Sequence, residues 1–495
     1  MSVKTVSDFL IERLHTWGVR RIFGYPGDGI NGIISAIDRF QKARNGDGID
    51  FVQVRHEEQA AFMATAHAKF TGELGVCLAT SGPGAIHLLN GLYDAKNDHV
   101  PVLAIAGQTA TTALGSEYQQ EVDLHSLFKD VASEYLATVV AEAQVRHCID
   151  RAVRTALAAR SVTALFFPKD IQEEKAIEHP PHRMNFNASS TGIELGRMIP
   201  HEEDLEQAAA VLNAGRRVAM LVGAGAFGAR SELIAVADAL QAGCAKALLG
   251  KAVLADDLPW VTGTLGLLGT RASSDMMREC DTLFLIGTNY PYAQFLPKAD
   301  KVRGVQIDTS GARLGMRFPT EVNLQGDARS TLQALLPYLE RKTETSWREK
   351  IAKDRAQEAD VMATRSAIDA HPIHPGQVFT ELNARLPDRC ILTADAGTST
   401  NWAARYLRMR DGMKFSLSGG LATMGSAVPY AIAAKFAYPE RVAIALTGDG
   451  AMQMNGLNGL ITVARYWRNW SDPRLIFYVA NNEDLNQVTW EMRIE

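Results

Sequence analysis

Residues 445–460 read ALTGDGAMQMNGLNGL, an apolar strand that runs into Gly448-Asp449-Gly450 and then a helical pattern beginning near Ala451. A helix N-terminus offers unpaired N–H groups and a partial positive charge, which suits an anion. The two glycines let backbone come close to a ligand. Asp449 contradicts a bare anion site unless a cation lies between the carboxylate and the anion. Downstream, RLIFYVA (474–480) reads as a strand ending in Asn481-Asn482-Glu483-Asp484. If the two strands are neighbours, Asp449 and Asn482 meet at one sheet edge. A carboxylate, an amide oxygen and a backbone carbonyl are hard ligands, and two phosphate oxygens with a water would complete the octahedron that Mg²⁺ demands. Taken alone, GDG is an ordinary turn and NN an ordinary cap; the order strand–GDG–helix–strand–NN argues against that pair of accidents.

A second constellation is FVQVRHEEQAAFMATAHA (51–68), in which a strand delivers Glu57 and Glu58 into the first turn of a helix. Acids there complement the macrodipole, and for an isolated HEE that is the default reading. A third is LVGAGAFG (221–228), a GxGxxG after a strand. No acidic residue closes the next strand, AKALLG, so a standard NAD site is not expected.

The elements that must position these residues alternate along the chain. GVRRIFGYPG, IDFVQVRHEE, ELGVCLATSGPG and VPVLAIAGQ in a first block, RVAMLVGAG, AKALLG, TLFLIGTN and RGVQIDTS in a second, and ILTADAGTST, MKFSLSGGL, RVAIALTGDG and RLIFYVANN in a third each pair an apolar run with a turn. Such alternation predicts α/β architecture, with parallel sheets doubly wound by helices. Three domains are expected, over 1–178, 191–345 and 371–495. A Pro-, Asn- and Ser-rich linker spans 179–200, and a charged helical stretch covers 341–370. The third block stops one strand after the GDG motif, so its sheet is expected to be incomplete.

The composition fits an enzyme-sized α/β protein. A formal net charge of −5 over 495 residues advertises no polyanion-binding surface, which argues against nucleic acid. The five cysteines lack CxxC spacing and read as buried thiols of a reducing compartment. No apolar run approaches the length of a membrane span, and the N-terminus is not a signal peptide, so a cytoplasmic location is expected.

With these residues in hand, the whole chain resembles the thiamine diphosphate-dependent enzymes. GDG followed by NN is similar to their diphosphate signature. The resemblance implies that Asp449 and Asn482 hold Mg²⁺ through their side chains and Asp484 through its carbonyl, beside Gly448, Gly450 and Ala451. Glu57 is implied as the catalytic acid that shares a proton with the cofactor's aminopyrimidine ring, a role that needs shielding from water. SGGLATMGSAVP (418–429) resembles the segment that props the cofactor's bend, which places Met424 and Ala422 at the pyrimidine. ADAGTST (394–400) fits a diphosphate-anchoring loop with Gly397 and Thr398. YPGD, with Tyr25, Pro26 and Gly27, and TSGPG (80–84) fit loops that face the cofactor.

In the second block LGLLG (265–269), LIGTNYPY (285–292), VQID (305–308) and LQGD (324–327) resemble the FAD-binding domain of the pyruvate oxidase and acetolactate synthase group. They imply FAD on Gly223, Gly225, Leu267, Gly287, Thr288, Asn289, Asp308 and Asp327. The pyruvate oxidase and quinone-reducing pyruvate dehydrogenase group matches best, while PKDIQ (168–172) and GLATMG (420–425) lean toward acetolactate synthases. Gln120 matches the family glutamine at the reacting centre. Gln119, Asn486 and Gln487 replace less polar family residues, which makes the expected pocket more polar. The implied reaction is decarboxylation of a 2-oxo acid, with pyruvate expected, and oxidative transfer of the electrons to quinone or oxygen. An acetolactate synthase-type carboligase with structural FAD is the alternative, and a truncated non-catalytic cofactor-binding homologue is the alternative of another class. The family implies a homodimer or homotetramer with active sites between subunits.

Overall fold

The structure, a computed structural model, describes residues 3–178, 190–193 and 196–494. Of the expected linker, 179–189 and 194–195 lie outside the described residues. Three sheets are present, and the strands of every registered pair run parallel. The first contains β1 (Arg21–Gly24), β2 (Asp50–Gln53), β3 (Gly75–Ala79), β4 (Val102–Gln108), β5 (Tyr135–Thr138) and β6 (Val162–Pro168), in the order β2-β1-β3-β4-β6-β5. The second contains β7 (Val218–Val222), β8 (Gly243–Lys246), β9 (Val261–Thr264), β10 (Thr282–Ile286), β11 (Arg303–Asp308) and β12 (Val322–Gln325), in the order β12-β11-β10-β7-β8-β9. The third has four strands, β13 (Ile391–Ala394), β14 (Lys414–Leu417), β15 (Ala443–Gly448) and β16 (Leu475–Ala480), in the order β14-β13-β15-β16. The chain forms two compact units, the first built from 1–195, 391–396 and 416–495, the second from 196–390 and 397–415.

β3, β4, β6 and β7 are buried along their whole length, as expected of parallel strands covered on both faces. In the first unit the helix Glu57–Thr71 packs against the helix Ala427–Ala437, and their alanines, Phe62 and Tyr430 share one core. Small residues on both helices permit that close approach. In the second unit a separate core gathers around β7, β10 and β11.

Several short strands carry too little apolar signal to be read from sequence. β5 is half-buried throughout, and β9 and β12 are four residues each. The stretch AKALLG is strand only to Lys246, and Leu248–Gly250 is already a 3₁₀ turn. The charged stretch 341–370 contains the helix Ser346–Ser366.

All five cysteines are buried, and no disulfide joins them among the described residues. Burial pushes the thiols of Cys77, Cys244 and Cys280 up to about 12. These three are therefore expected to ignore a thiol reagent at pH 8 in the native protein and to react on unfolding, because the thiolate is the nucleophile. Rapid native labelling of any of them, located by peptide mass, would contradict the packing.

Candidate active site

Ligands in open α/β sheets bind where the strand order reverses, beyond the carboxyl ends of the strands. Each of the three sheets places its glycine-rich loops there. In the third sheet the reversal falls between β13 and β15, whose successors are Asp395 and Asp449. β16 lies beside β15 in direct register, Gly448 opposite Ala480, so Asp449 and the Asn481–Asp484 turn leave the sheet at one edge. This meets the condition set by the sequence.

The helix after β15 begins at Asp449 itself, earlier than the expected Ala451, and Met452–Gly456 forms a π-helical turn before the helix Leu457–Tyr466. Such turns are rare and concentrate at functional sites. Asp449 is 9% exposed, and its Oδ2 accepts from the Glu483 N–H at 2.8 Å. The Asn482 amide terminus lies 2.8 Å from the Asp484 carbonyl oxygen and 3.2 Å from Asp449 Oδ1. As an oxygen it meets these two acceptors and only one donor, the Asp484 N–H at a long 3.4 Å; turned over, its NH₂ would donate to both acceptors. Adjacent ligands of an octahedron with metal–oxygen bonds of about 2.1 Å sit about 3.0 Å apart. These two separations are those of neighbouring ligands in a Mg²⁺ shell, and a cation there would remove the repulsion between the oxygens. Gly448 has ordinary extended backbone, and a Cβ there would meet no protein atom within 4 Å. Nothing in the fold demands glycine at 448, but a ligand lying against that backbone would. Across the same turn, a Cβ on Gly450 would come within 3.6 Å of the Met424 methyl, so Met424 reaches the GDG turn. Ala422 beside it holds a left-handed φ of 55°, which few non-glycine residues adopt.

Asp395 is buried at the end of β13, and burial holds its carboxyl above the usual range. Its Oδ2 accepts from Thr447 Oγ1 (2.6 Å) and its Oδ1 from the Ala427 N–H (2.9 Å), stapling β13 to β15 and to the helix Ala427–Ala437. Gly397 and Thr398 belong to the second unit, where Gly397 caps the helix Thr398–Tyr406 with φ 116°.

In the first sheet the order reverses between β1 and β3. Tyr25-Pro26-Gly27 follows the one and Thr80–Gly84 the other. A Cβ on Gly27 would fall 2.5 Å from Thr80, so these loops touch. Glu57 opens its helix, with a side chain 9% exposed and Oε2 2.9 Å from Nδ1 of His87. Its other oxygen faces Gly84, where a Cβ would stand 3.2 Å away. Gln120, at φ 64°, lies against the same loop, and Ser81 Oγ donates to its Oε1 at 3.1 Å. Tyr25, Gly27, Glu57 and Gln120 are thus gathered around one turn.

Two residues escaped the sequence reading. His87 sits in TSGPGAIHLLNG, one turn after the glycine loop, and only proximity to Glu57 marks it. Glu58 is more than a dipole partner: Asn90 and Asn455 donate to its two oxygens, the latter at 2.7 Å.

In the second unit the reversal lies between β10 and β7. Here Gly223, Gly225 and Gly287 pack backbone on backbone. The Gly225 N–H donates to the Gly287 carbonyl at 2.9 Å, and a Cβ on Gly223 would lie 2.5 Å from that oxygen. Loop-to-loop approach alone therefore explains these glycines. Thr288 is buried beside them, and Asn289 has a buried Oδ1 with no partner among the described residues. Asp308, buried at the end of β11, has its carboxyl raised by burial, while its Oδ1 accepts from Ser310 N–H. Asp327 caps the helix Ala328–Leu335 by accepting from Ser330 N–H at 2.9 Å. Leu267 is 60% exposed. Beside its loop a cavity of about 620 Å³ is lined by Gly266, Gly269, Arg271, Trp402, Arg405 and Tyr406.

Comparison with known proteins shows the family of the chain. Residues 4–127 match the N-terminal TPP-binding domain of thiamine pyrophosphate enzymes, 205–335 their central domain and 395–494 their C-terminal TPP-binding domain. The YdaP protein of Bacillus subtilis is 36% identical over the whole of this chain and 83% of its own length. Pyruvate oxidase of Lactiplantibacillus plantarum is 32% identical over 92% of this chain and 74% of its own. The large subunit of acetolactate synthase isozyme 2 of Escherichia coli is 31% identical over 91% and 79%. The chain belongs to the thiamine pyrophosphate enzyme family.

Proposed function

We propose that the chain, loaded with thiamine diphosphate, Mg²⁺ and FAD, decarboxylates a 2-oxo acid, pyruvate foremost, and passes the electrons to a quinone or oxygen. The observation that carries the cofactor reading is the cluster of Asp449 Oδ1, the Asn482 amide and the Asp484 carbonyl at Mg²⁺ spacing. When bound, thiamine diphosphate supplies an acidic ring carbon that adds to a carbonyl and accepts the electron pair left by departing CO₂. The protein's part is positioning and proton traffic. Asp449, Asn482 and Asp484 hold the metal, and the open backbone at Gly448 with the N–H groups of Gly450 and Ala451 faces the diphosphate. Met424 stands over that turn. Glu57, shielded from water and oriented by His87, holds or releases the proton at Oε1. Gln120, whose oxygen is taken by Ser81, keeps its NH₂ as a donor for a carboxylate or carbonyl. No helix among the described residues is long and apolar enough to cross a membrane.

FAD is supported by the orphaned Asn289 oxygen, the buried Asp308 carboxyl and the cavity that sets Arg271 and Arg405 beside Trp402 and Tyr406. Cations with aromatic faces suit a phosphorylated, planar ligand. The oxidase reading takes its substrate from the relative named pyruvate oxidase. A carboligase reading has equal standing, since the relative named acetolactate synthase matches at 31% against 32%. Polar Gln119 and Gln487, near the family's substrate positions, do not distinguish the two readings. As in the family, a homodimer or homotetramer is the proposed working form.

Anaerobic addition of pyruvate to the loaded protein separates the two. Bleaching of the flavin absorbance within a few turnovers is the expected result. Unchanged flavin with acetolactate accumulating would replace the oxidase by the carboligase.

A further inference from the structure

The segment between β14 and the helix Ala427–Ala437 carries Ala422 and Met424, yet it has no ladder or helix of its own. It is held from outside. Asn90, Asp94 and Asp98 recur every fourth residue along and just past the helix Leu89–Asn97, so they share one face. Asp98 accepts from two successive backbone N–H groups, Gly419 at 2.9 Å and Gly420 at 2.6 Å. Asn90 donates to Thr423 Oγ1 at 3.1 Å, and that hydroxyl donates to the Met424 carbonyl. Lys69, on the helix that begins with Glu57, donates to the Leu417 carbonyl (2.8 Å), to Asp98 Oδ2 (2.5 Å) and to the Tyr430 hydroxyl (2.6 Å). Tyr430 in turn donates to Asp94 Oδ2 at 2.5 Å. Gly420 approaches so closely that a Cβ would stand 3.0 Å from Asp98 Oδ1.

The groups are almost dry: the Lys69, Asp94 and Asp98 side chains are 7%, 0% and 1% exposed. Two carboxylates against one ammonium is a costly core, which apolar residues of the same volume would commonly match in stability. What apolar residues do not supply is a fixed acceptor pair for two adjacent amides. We infer that Asp98, backed by Lys69, is a positioning residue that holds the backbone of 418–424 in the shape that presents Ala422 and Met424 to the cofactor. The inference rests on the cofactor reading above, and the residue touches no reacting atom.

The test compares D98N with the unmutated protein. The substitution keeps the volume but leaves one acceptor oxygen for two N–H groups and turns an NH₂ toward donors. Amide exchange at Gly419 and Gly420, followed by mass spectrometry on the protein without cofactor, is expected to speed up about tenfold. The Kd for thiamine diphosphate at saturating Mg²⁺, by calorimetry, is expected to rise about tenfold. D150N is the control for lost stability alone, because it weakens another nearly buried ion pair of the same unit, Arg13–Asp150 (2.8 Å). Its Kd should stay within twofold of the unmutated value. Either quantity staying within twofold in D98N, or D150N raising Kd as much, overturns the inference. Should D98N not fold, T423V removes the second anchor without burying a charge, and an unchanged Kd there overturns it equally. If the unmutated protein shows no Mg²⁺-dependent binding, the cofactor reading itself falls, and that measurement comes first.

Discussion

Asp449→Asn is expected to raise the Kd for Mg²⁺-dependent thiamine diphosphate binding by about 30-fold or more while leaving the cofactor-free protein about as stable as before. The two halves of this result have one cause. Of the three donors gathered at the end of β15 and β16, Asp449 alone carries a formal charge; the others are an amide and a backbone carbonyl. An asparagine preserves the shape and an oxygen for the Glu483 N–H, now 2.8 Å away. It removes the charge that draws a dication into a site only 9% exposed. Losing one charged partner of a buried, hydrogen-bonded pair costs about 2–5 kcal/mol, roughly a 30- to 4,000-fold rise in Kd. Without a cation, the Asn482 amide can turn over and donate to Asp449 Oδ1, so neutralising this carboxylate is expected to change the cofactor-free stability little. Thermal denaturation reads both effects. At a cofactor concentration a hundredfold over the unmutated Kd, binding stabilises the unmutated protein by about 2.7 kcal/mol, and that gain should fall to about 0.9 kcal/mol or less in the variant. Binding within tenfold of the unmutated protein would remove Asp449 from the metal site.

How much of this was legible in the sequence depends on how local each signal is. Asp449 and Asn482 could be paired from sequence because each closes a clean strand and the two strands are neighbours in register. Glu57 and the glycine loops were legible for the same reason, as they follow strands directly. Strand order was not legible, so the coincidence of each glycine loop pair with a reversal of order emerges only from the sheets. The role of the second-unit glycines also shifted. Gly223, Gly225 and Gly287 are demanded by their own close packing, so their presence is weaker evidence for a nucleotide than the orphaned Asn289 oxygen. Glu58 and the ridge Asn90–Asp94–Asp98 were opaque because the partners that give them a role, Asn455, Gly419, Gly420, Thr423 and Tyr430, lie more than 300 residues away in sequence. A charged residue at helical spacing reads as a solvated face until its distant cover is known. The π-turn after Ala451 was hidden as well, since MQMNG carries no sequence mark of a widened helix.

Glu57→Gln separates rate from binding where Asp449→Asn does not. Glutamine is isosteric with glutamate and can keep a hydrogen bond to His87 Nδ1, now 2.9 Å from Oε2. It can equally donate to or accept from a ring nitrogen, so the Kd for thiamine diphosphate is expected to change less than tenfold. An amide, however, neither releases nor takes up a proton at working pH. A positioned acid or base of this kind contributes about 10²–10⁴-fold to rate, and kcat is expected to fall by that factor at saturating cofactor. Deuterium exchange at the cofactor's acidic carbon should slow by a similar factor, because that step precedes any contact with substrate. The burial of the carboxyl beside Gly84 is what makes the comparison clean, since a site 9% exposed admits little water to substitute for the lost proton carrier. A Glu57→Gln protein that binds poorly but turns over normally once saturated would make Glu57 a binding contact, and the proton would have to be sought on another group. The exposed ring of His87, 44% open to solvent and already within hydrogen-bond distance of Glu57, would then be the first group to replace, followed by His56, whose ring stacks on that of His87 at 4.5 Å.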